Sequence, residues 1–190
     1  MKYFIVGLHA SGKQQIARQL TEYGLRVGKV FRSIDEVKDS VYTLSSIVYD
    51  KEDINKLADN QAYIFFSQNT LNTESFFEGL SFYEYDNNDI FVISPQQFSL
   101  IPHFDKDTIF IWLDNTTQQR RSRYLMERRK YNFKEQENLE RENINDFIER
   151  VCNRDHLYFI NEEPSRVGAI IYSLIQHPDL IDLYKKNFNQ

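Results

Sequence analysis

A chain of 190 residues with a formal net charge of -5 and one cysteine suits a single α/β domain with a sizeable core, and it excludes an intramolecular disulfide. The acidic balance speaks against a duplex-binding surface of clustered Lys and Arg, so long nucleic acid is not expected and any polyanion partner is small and locally held. With 15 Phe, 12 Tyr, 6 Gly and 4 Pro, the composition is that of a folded chain, not a disordered one.

The first element is an apolar strand over residues 3–6. It runs directly into Gly7-Leu8-His9-Ala10-Ser11-Gly12-Lys13 and then into a helix whose Ile16, Ala17 and Leu20 share one face. Strand, glycine loop and helix in that order form a phosphate-binding loop. Gly7 lets the chain turn sharply out of the strand, Gly12 lets backbone N–H groups crowd around a phosphate, and Lys13 adds a mobile charge for the β and γ phosphates. Gly7, Leu8, His9, Ala10, Ser11, Gly12, Lys13, Gln14 and Gln15 are therefore the candidate nucleotide-binding residues. Gln14 stands where Ser or Thr would place a hydroxyl on Mg²⁺, so the sequence does not identify the metal ligands.

Further apolar runs at 27–31, 90–93, 108–113 and 157–160 read as buried parallel strands, and the helical patterns between several of them read as layers on both faces of the sheet. In such a sheet ligands sit beyond the carboxyl ends of the strands, where loop 7–13, Ser94 and Asp114 gather. Two stretches interrupt the alternation. Residues 33–88 are long, aromatic and irregular, with a short helix expected near 51–60 and a strand near 62–66. Residues 116–147 are polar and helical, and hold Arg120, Arg121, Arg123, Arg128, Arg129 and Arg141 among many Glu and Gln. Taken by itself, the second stretch also fits a solvated helical hairpin with i,i+4 pairs such as Glu137 with Arg141. A last helix over 164–176 offers Val167, Ile170, Ile171 and Leu174 to the sheet, and 179–190 reads as a peripheral tail. The four histidines and Cys152 show no metal-ligand spacing. No run reaches membrane-spanning length and the first residues lack a secretory pattern, so a cytoplasmic protein is expected.

A phosphate loop, an irregular insertion and an arginine-rich helical segment divide the work of phosphoryl transfer among a donor grip, an acceptor site and a lid. Such transfer needs charge neutralisation and in-line positioning more than a covalent nucleophile. On Gly7 to Lys13, Val30 to Ser33, Asp89 to Pro95, Ile109 to Asp114, Arg121 to Arg129 and Glu140 to Phe147, the chain resembles the guanylate kinase-like branch of the nucleoside monophosphate kinases over most of 1–176. The resemblance implies a P-loop NTPase-type three-layer α/β fold with a central parallel sheet, an acceptor-binding insertion at 33–88 and a helical lid at 116–147, within one domain of 1–178. It implies ATP and Mg²⁺, and a small phosphorylated acceptor. In that likeness Lys13 is the donor-phosphate lysine, and Arg121, Arg123 or Arg128 meets the phosphoryl group in transit. Arg32, Tyr83, Ser94 and Arg141 fall on the acceptor side. Ser94 stands where many relatives carry Asp, and no acidic residue that would read a guanine edge is identifiable. A catalytically impaired nucleotide-binding regulatory protein, and a kinase for a modified nucleotide or a nucleic-acid end, remain as alternatives.

Overall fold

A computed structural model describes residues 1–33, 46–49, 63–71, 74–126, 133–151 and 156–188. The helix expected near 51–60, Arg128 and Cys152 lie outside the described residues. The chain begins with β1 (Tyr3–Gly7) and α1 (Lys13–Glu22), followed by β2 (Val27–Gly28), β3 (Val30–Ser33), β4 (Ser46–Tyr49), β5 (Tyr63–Leu71) and β6 (Glu74–Ser81). Next come α2 (Phe82–Asn87), β7 (Ile90–Ile93), α3 (Pro95–Ser99) and β8 (Ile109–Asp114). The remaining elements are α4 (Thr117–Met126), α5 (Phe133–Val151), β9 (His156–Ile160), α6 (Pro164–Gln176) and α7 (Leu180–Phe188).

Five strands form a parallel sheet in the order β2-β7-β1-β8-β9. The alternation of side chains along β1 divides the core in two. Tyr3 and Ile5 face Ile16, Ala17 and Leu20 of α1 together with Val167, Ile171 and Leu174 of α6. Phe4 and Val6 face Phe98 of α3 and Phe147 and Val151 of α5. Helices therefore cover both faces, and the fold is the expected three-layer α/β arrangement around a central parallel sheet. The second layer is dense in rings: Phe104 meets Phe110 edge-on at 5.0 Å and Phe98 lies stacked on Phe104 at 4.9 Å. Truncating a fully buried ring such as Phe98 costs about 3–5 kcal/mol.

A second sheet has the order β4-β3-β6-β5, with β3 parallel to β4 and antiparallel to β6, and β5 antiparallel to β6. The apolar run 27–31, expected as one strand, is split between the sheets. Val27 and Gly28 pair with β7, whereas Val30 onward pairs with β6 and β4. Lys29 marks the crossing, its backbone N–H donating to the Glu84 carboxylate at 2.9 Å. Val30, Phe65 and Leu80 of this sheet join the same buried cluster as Phe98, so the second sheet packs over the α3 side of the first.

Arg150 of α5 fastens two layers. Its guanidinium donates to the carbonyls of Phe98, Ser99 and Ile101 at the end of α3, and lies over the Phe98 ring at 4.8 Å. The Phe98 carbonyl also accepts from Ile101 N–H at 3.1 Å, and a cation at this helix end complements its exposed carbonyls and the helix dipole together. The segment read as a peripheral tail forms α7, in which Ile181 is buried in the core and Tyr184 stacks on Phe159 at 5.0 Å. Among the described residues no helix is long and apolar enough to cross a membrane.

Candidate active site

β1 and β8 run in parallel with Gly7 opposite Leu113. A Cβ on Gly7 would lie 2.5 Å from the Leu113 carbonyl oxygen and 2.7 Å from Ser11 Oγ. No larger residue fits at this turn out of the strand. The loop closes on itself through Ser11 N–H donating to Leu8 O at 3.1 Å, with Ala10 at φ 58° and Gly12 at φ 91°. Gly12 is the N-cap of α1 and no side chain caps that helix. The first helical turn thus opens toward the loop with N–H groups that the helix itself does not accept, as an anion site requires. Lys13 Nζ curls back over the loop and donates to Gly7 O at 2.6 Å and Leu8 O at 2.8 Å.

Two residues from distant elements meet this loop. Asn161, just beyond β9, is fully buried and donates its side-chain amide to Ser11 O at 2.7 Å. Arg123 of α4 donates through Nη2 to Asn161 O at 2.7 Å, and its Nη1 would lie 2.8 Å from a Cβ on Gly12. Asn115 donates to the same Asn161 carbonyl at 2.9 Å, which ties the end of β8 into the arrangement. Within it, Ser11 Oγ and Asn161 Oδ1 are buried without a hydrogen-bond partner among the described residues. Unsatisfied buried polar atoms of this kind are few in folded proteins. The bare Gly12, the Lys13 ammonium, the Arg123 guanidinium and a helix N-terminus fit a phosphate group in both shape and charge.

The other arginines separate. Arg121 is exposed on α4. Arg120, on the Arg123 side of the helix, is 3% exposed and pairs with Glu137 of α5 at 2.6 Å, where Glu137 is 11% exposed. Breaking a buried pair from one side costs about 3–5 kcal/mol, because the other charge is left stranded. Its Nε and Nη1 have no hydrogen-bond partner among the described residues. The side chain of Arg141 lies outside the described residues.

At the carboxyl end of β7, Ser94 caps α3. Its Oγ accepts from Gln97 N–H at 3.1 Å while Gln97 Oε1 accepts from Ser94 N–H at 2.9 Å. This capping box fixes the Gln97 amide, whose Nε2 donates to Glu78 at 2.8 Å. Glu78, on β6, is 5% exposed and lies opposite Arg32 of β3 in the strand register. Strand alternation sets Glu78 on the same side as the core residue Leu80, and the side chain of Arg32 lies outside the described residues. Tyr83, assigned to the acceptor side, is not drawn into this wall. It is 73% exposed on α2, because that short helix turns its aromatic start outward. At the end of β8, Asp114 accepts from the Tyr158 hydroxyl at 2.7 Å, and burial together with that hydrogen bond pushes Tyr158 up to about 12.

Asn161, Arg120, Glu78 and Gln97 were not singled out by sequence reasoning as functional. Asn161 alone carried a usable signal, as a polar residue ending an apolar strand on the side where ligands gather.

No family model matches the sequence, and none of the curated proteins does. Among solved structures the chain is similar to the guanylate kinase of Anaplasma phagocytophilum, with a TM-score of 0.58 at 15% identity, over 99% of this chain and 95% of that one. It is also aligned with a sugar kinase of Janibacter sp., with a TM-score of 0.48 at 12% identity, over 95% of this chain and 98% of that one. The architecture is therefore a guanylate kinase-like fold.

Proposed function

We propose that the protein is a nucleotide kinase that transfers the γ-phosphate of ATP to a nucleoside monophosphate or a related small phosphorylated acceptor. The observation that supports this most directly is the convergence of Lys13, Arg123 and Asn161 on the Gly12 bend. Three elements far apart in sequence meet where a phosphate would rest. Lys13 holds the donor phosphates and Arg123 neutralises charge as it moves, which is what a phosphoryl transition state demands. The wall carrying Arg32, Glu78, Gln97 and Ser94 is the acceptor side. Mg²⁺ supplies charge neutralisation on the donor phosphates when bound. Among the described residues no three His, Cys, Asp or Glu side chains come together as a metal site.

One observation favours a second reading, a nucleotide-binding regulatory protein. Ser94 and Gln97 are committed to each other in a helix cap, and Gln14 offers an amide where a hydroxyl usually serves the metal. Incubating ATP and Mg²⁺ with a panel of ribo- and deoxynucleoside monophosphates decides between them. Formation of one matching diphosphate establishes the kinase. Tight ATP binding without acceptor-dependent turnover establishes the regulatory protein.

A further inference from the structure

We propose that the groove between α6 and α7 is a self-association surface, which docks the same groove of a second copy of this chain, antiparallel about a twofold axis.

The apolar part comes first. A groove of about 570 Å³ runs between the two helices, bordered on α6 by Ala169, Ile170 and Ser173 and on α7 by Leu180 and Leu183. Ala169 and Ser173 are short and exposed, so they leave a furrow along α6. On α7, Ile181 is anchored in the core and Tyr184 stacks on Phe159. Leu180 and Leu183, three residues apart and so on one side of the helix, stand 38% and 57% exposed. A single exposed leucine needs no explanation, but two on one groove with Ile170 form a contiguous apolar patch. The face therefore carries both a ridge and a furrow.

Charge selects the occupant. Asp179 and Asp182 stand at the start of α7, and Lys185 and Lys186 lie in its last turn. The three residues 177–179 join the helices as a hairpin, which lays the start of α6 beside the end of α7. Arg166, at the start of α6, lines the same groove and adds to its basic end. The groove is thus acidic at one end, basic at the other and apolar between. An occupant must present an apolar ridge with the opposite order of charges, and α7 of a second copy, laid antiparallel, presents both.

This charge order also complements the dipole of α7 itself. The leucines between the charges have no such internal use. Within one chain Asp182 meets Lys185 only at 4.0 Å, and Asp182 is 86% exposed, so an exposed pair of this kind holds little energy against exchange for a partner across the axis. The arrangement is isologous and closes at two copies. One helix hairpin on another lies at the small end of stable interfaces, which suits a reversible dimer.

The experiment is sedimentation equilibrium of the full chain from about 1 μM to about 1 mM, the span of weak affinities, at low ionic strength so that the exposed charges are not screened. The wild type should pass from monomer to dimer. Leu180→Ser/Leu183→Ser should raise the dissociation constant on the order of 100-fold, because each copy loses its apolar ridge. Asp179→Lys/Asp182→Lys and Lys185→Glu/Lys186→Glu should each weaken the dimer about 10-fold or more by setting like charges opposite one another. Their equimolar mixture should regain wild-type association, since opposite charges then meet across the axis. Thermal unfolding checks that each variant is folded, and Asp182→Lys with Lys186→Glu serve where a double change is not. A wild type that stays monomeric throughout overturns the proposal and leaves the groove to a different protein. Wild-type association of the leucine variant overturns it too, as does a mixture no more associated than its components, or growth beyond two copies.

Discussion

Asn161 holds the Ser11 carbonyl with its side-chain amide at 2.7 Å, joining residues 150 positions apart in the chain. The same residue offers its backbone carbonyl to Arg123 and to Asn115. Loop 7–13 is thus not a self-contained turn. Its shape is set by a strand end on the far side of β8.

Asn161→Ala removes that brace and leaves Ser11 O buried without its donor. We expect a loss of about 1–3 kcal/mol of stability and a further loss of triphosphate affinity, because the loop backbone no longer holds one conformation. Thermal unfolding with and without ATP checks both. A melting temperature that falls while the ATP-induced increment is retained in full would mean that Asn161 supports the fold and not the loop.

Lys13→Ala should leave the fold intact, since the ammonium contacts loop carbonyls and not the core. Phosphoryl transfer should be abolished and triphosphate affinity weakened. Circular dichroism and calorimetry separate the two outcomes, and unchanged ATP affinity would contradict the phosphate role of the loop.

Arg123 and Arg121 are expected to part company. Arg123→Ala should reduce kcat on the order of 10³-fold with a smaller effect on ATP affinity, as for a charge that matters most in the transition state. Arg121, exposed on α4, should tolerate alanine with turnover within a few-fold of wild type. Steady-state kinetics with the best acceptor decide. Equal losses in both variants would place the lid arginines differently.

The pair of Tyr158 with Asp114 gives a pH signature. Burial first, and then the hydrogen bond to Asp114, raise the phenol from its ordinary 10.0 to about 12. The protonated phenol is the form favoured by folding, so this contribution to stability is complete below pH 10.0 and disappears as pH rises toward about 12. In Asp114→Asn the phenol should titrate lower, nearer its ordinary value. The phenolate absorbance difference between each protein and its Tyr158→Phe counterpart isolates this one group, and an unmoved midpoint in Asp114→Asn would show that the carboxylate has no part in it.

Loop 7–13 was legible because everything that makes it a turn into a helix lies within seven consecutive residues. Gly7 sits against Leu113, Gly12 has a positive φ, and Lys13 follows at once. β7 at Ile90–Ile93 and α6 at Pro164–Gln176 were equally legible, since unbroken apolar runs and helical periodicity are local patterns. The split of 27–31 between two sheets was not, because both halves are apolar and only their different partners distinguish them.

Which arginine is buried was beyond the sequence for the same reason. Arg120, Arg121 and Arg123 are chemically alike and adjacent, and their fates depend on where Glu137 and Asn161 arrive in space. The sequence by itself determined the strand, glycine loop and helix at the start of the chain and the two-sided patterning of the parallel sheet, since both arise from neighbours along the chain. Only the tertiary structure decided the partners, with Asn161 brought to Ser11, Glu137 to Arg120 and Ile181 into the core. Contacts between distant segments depend on how whole layers pack, and no local pattern of residues encodes that choice.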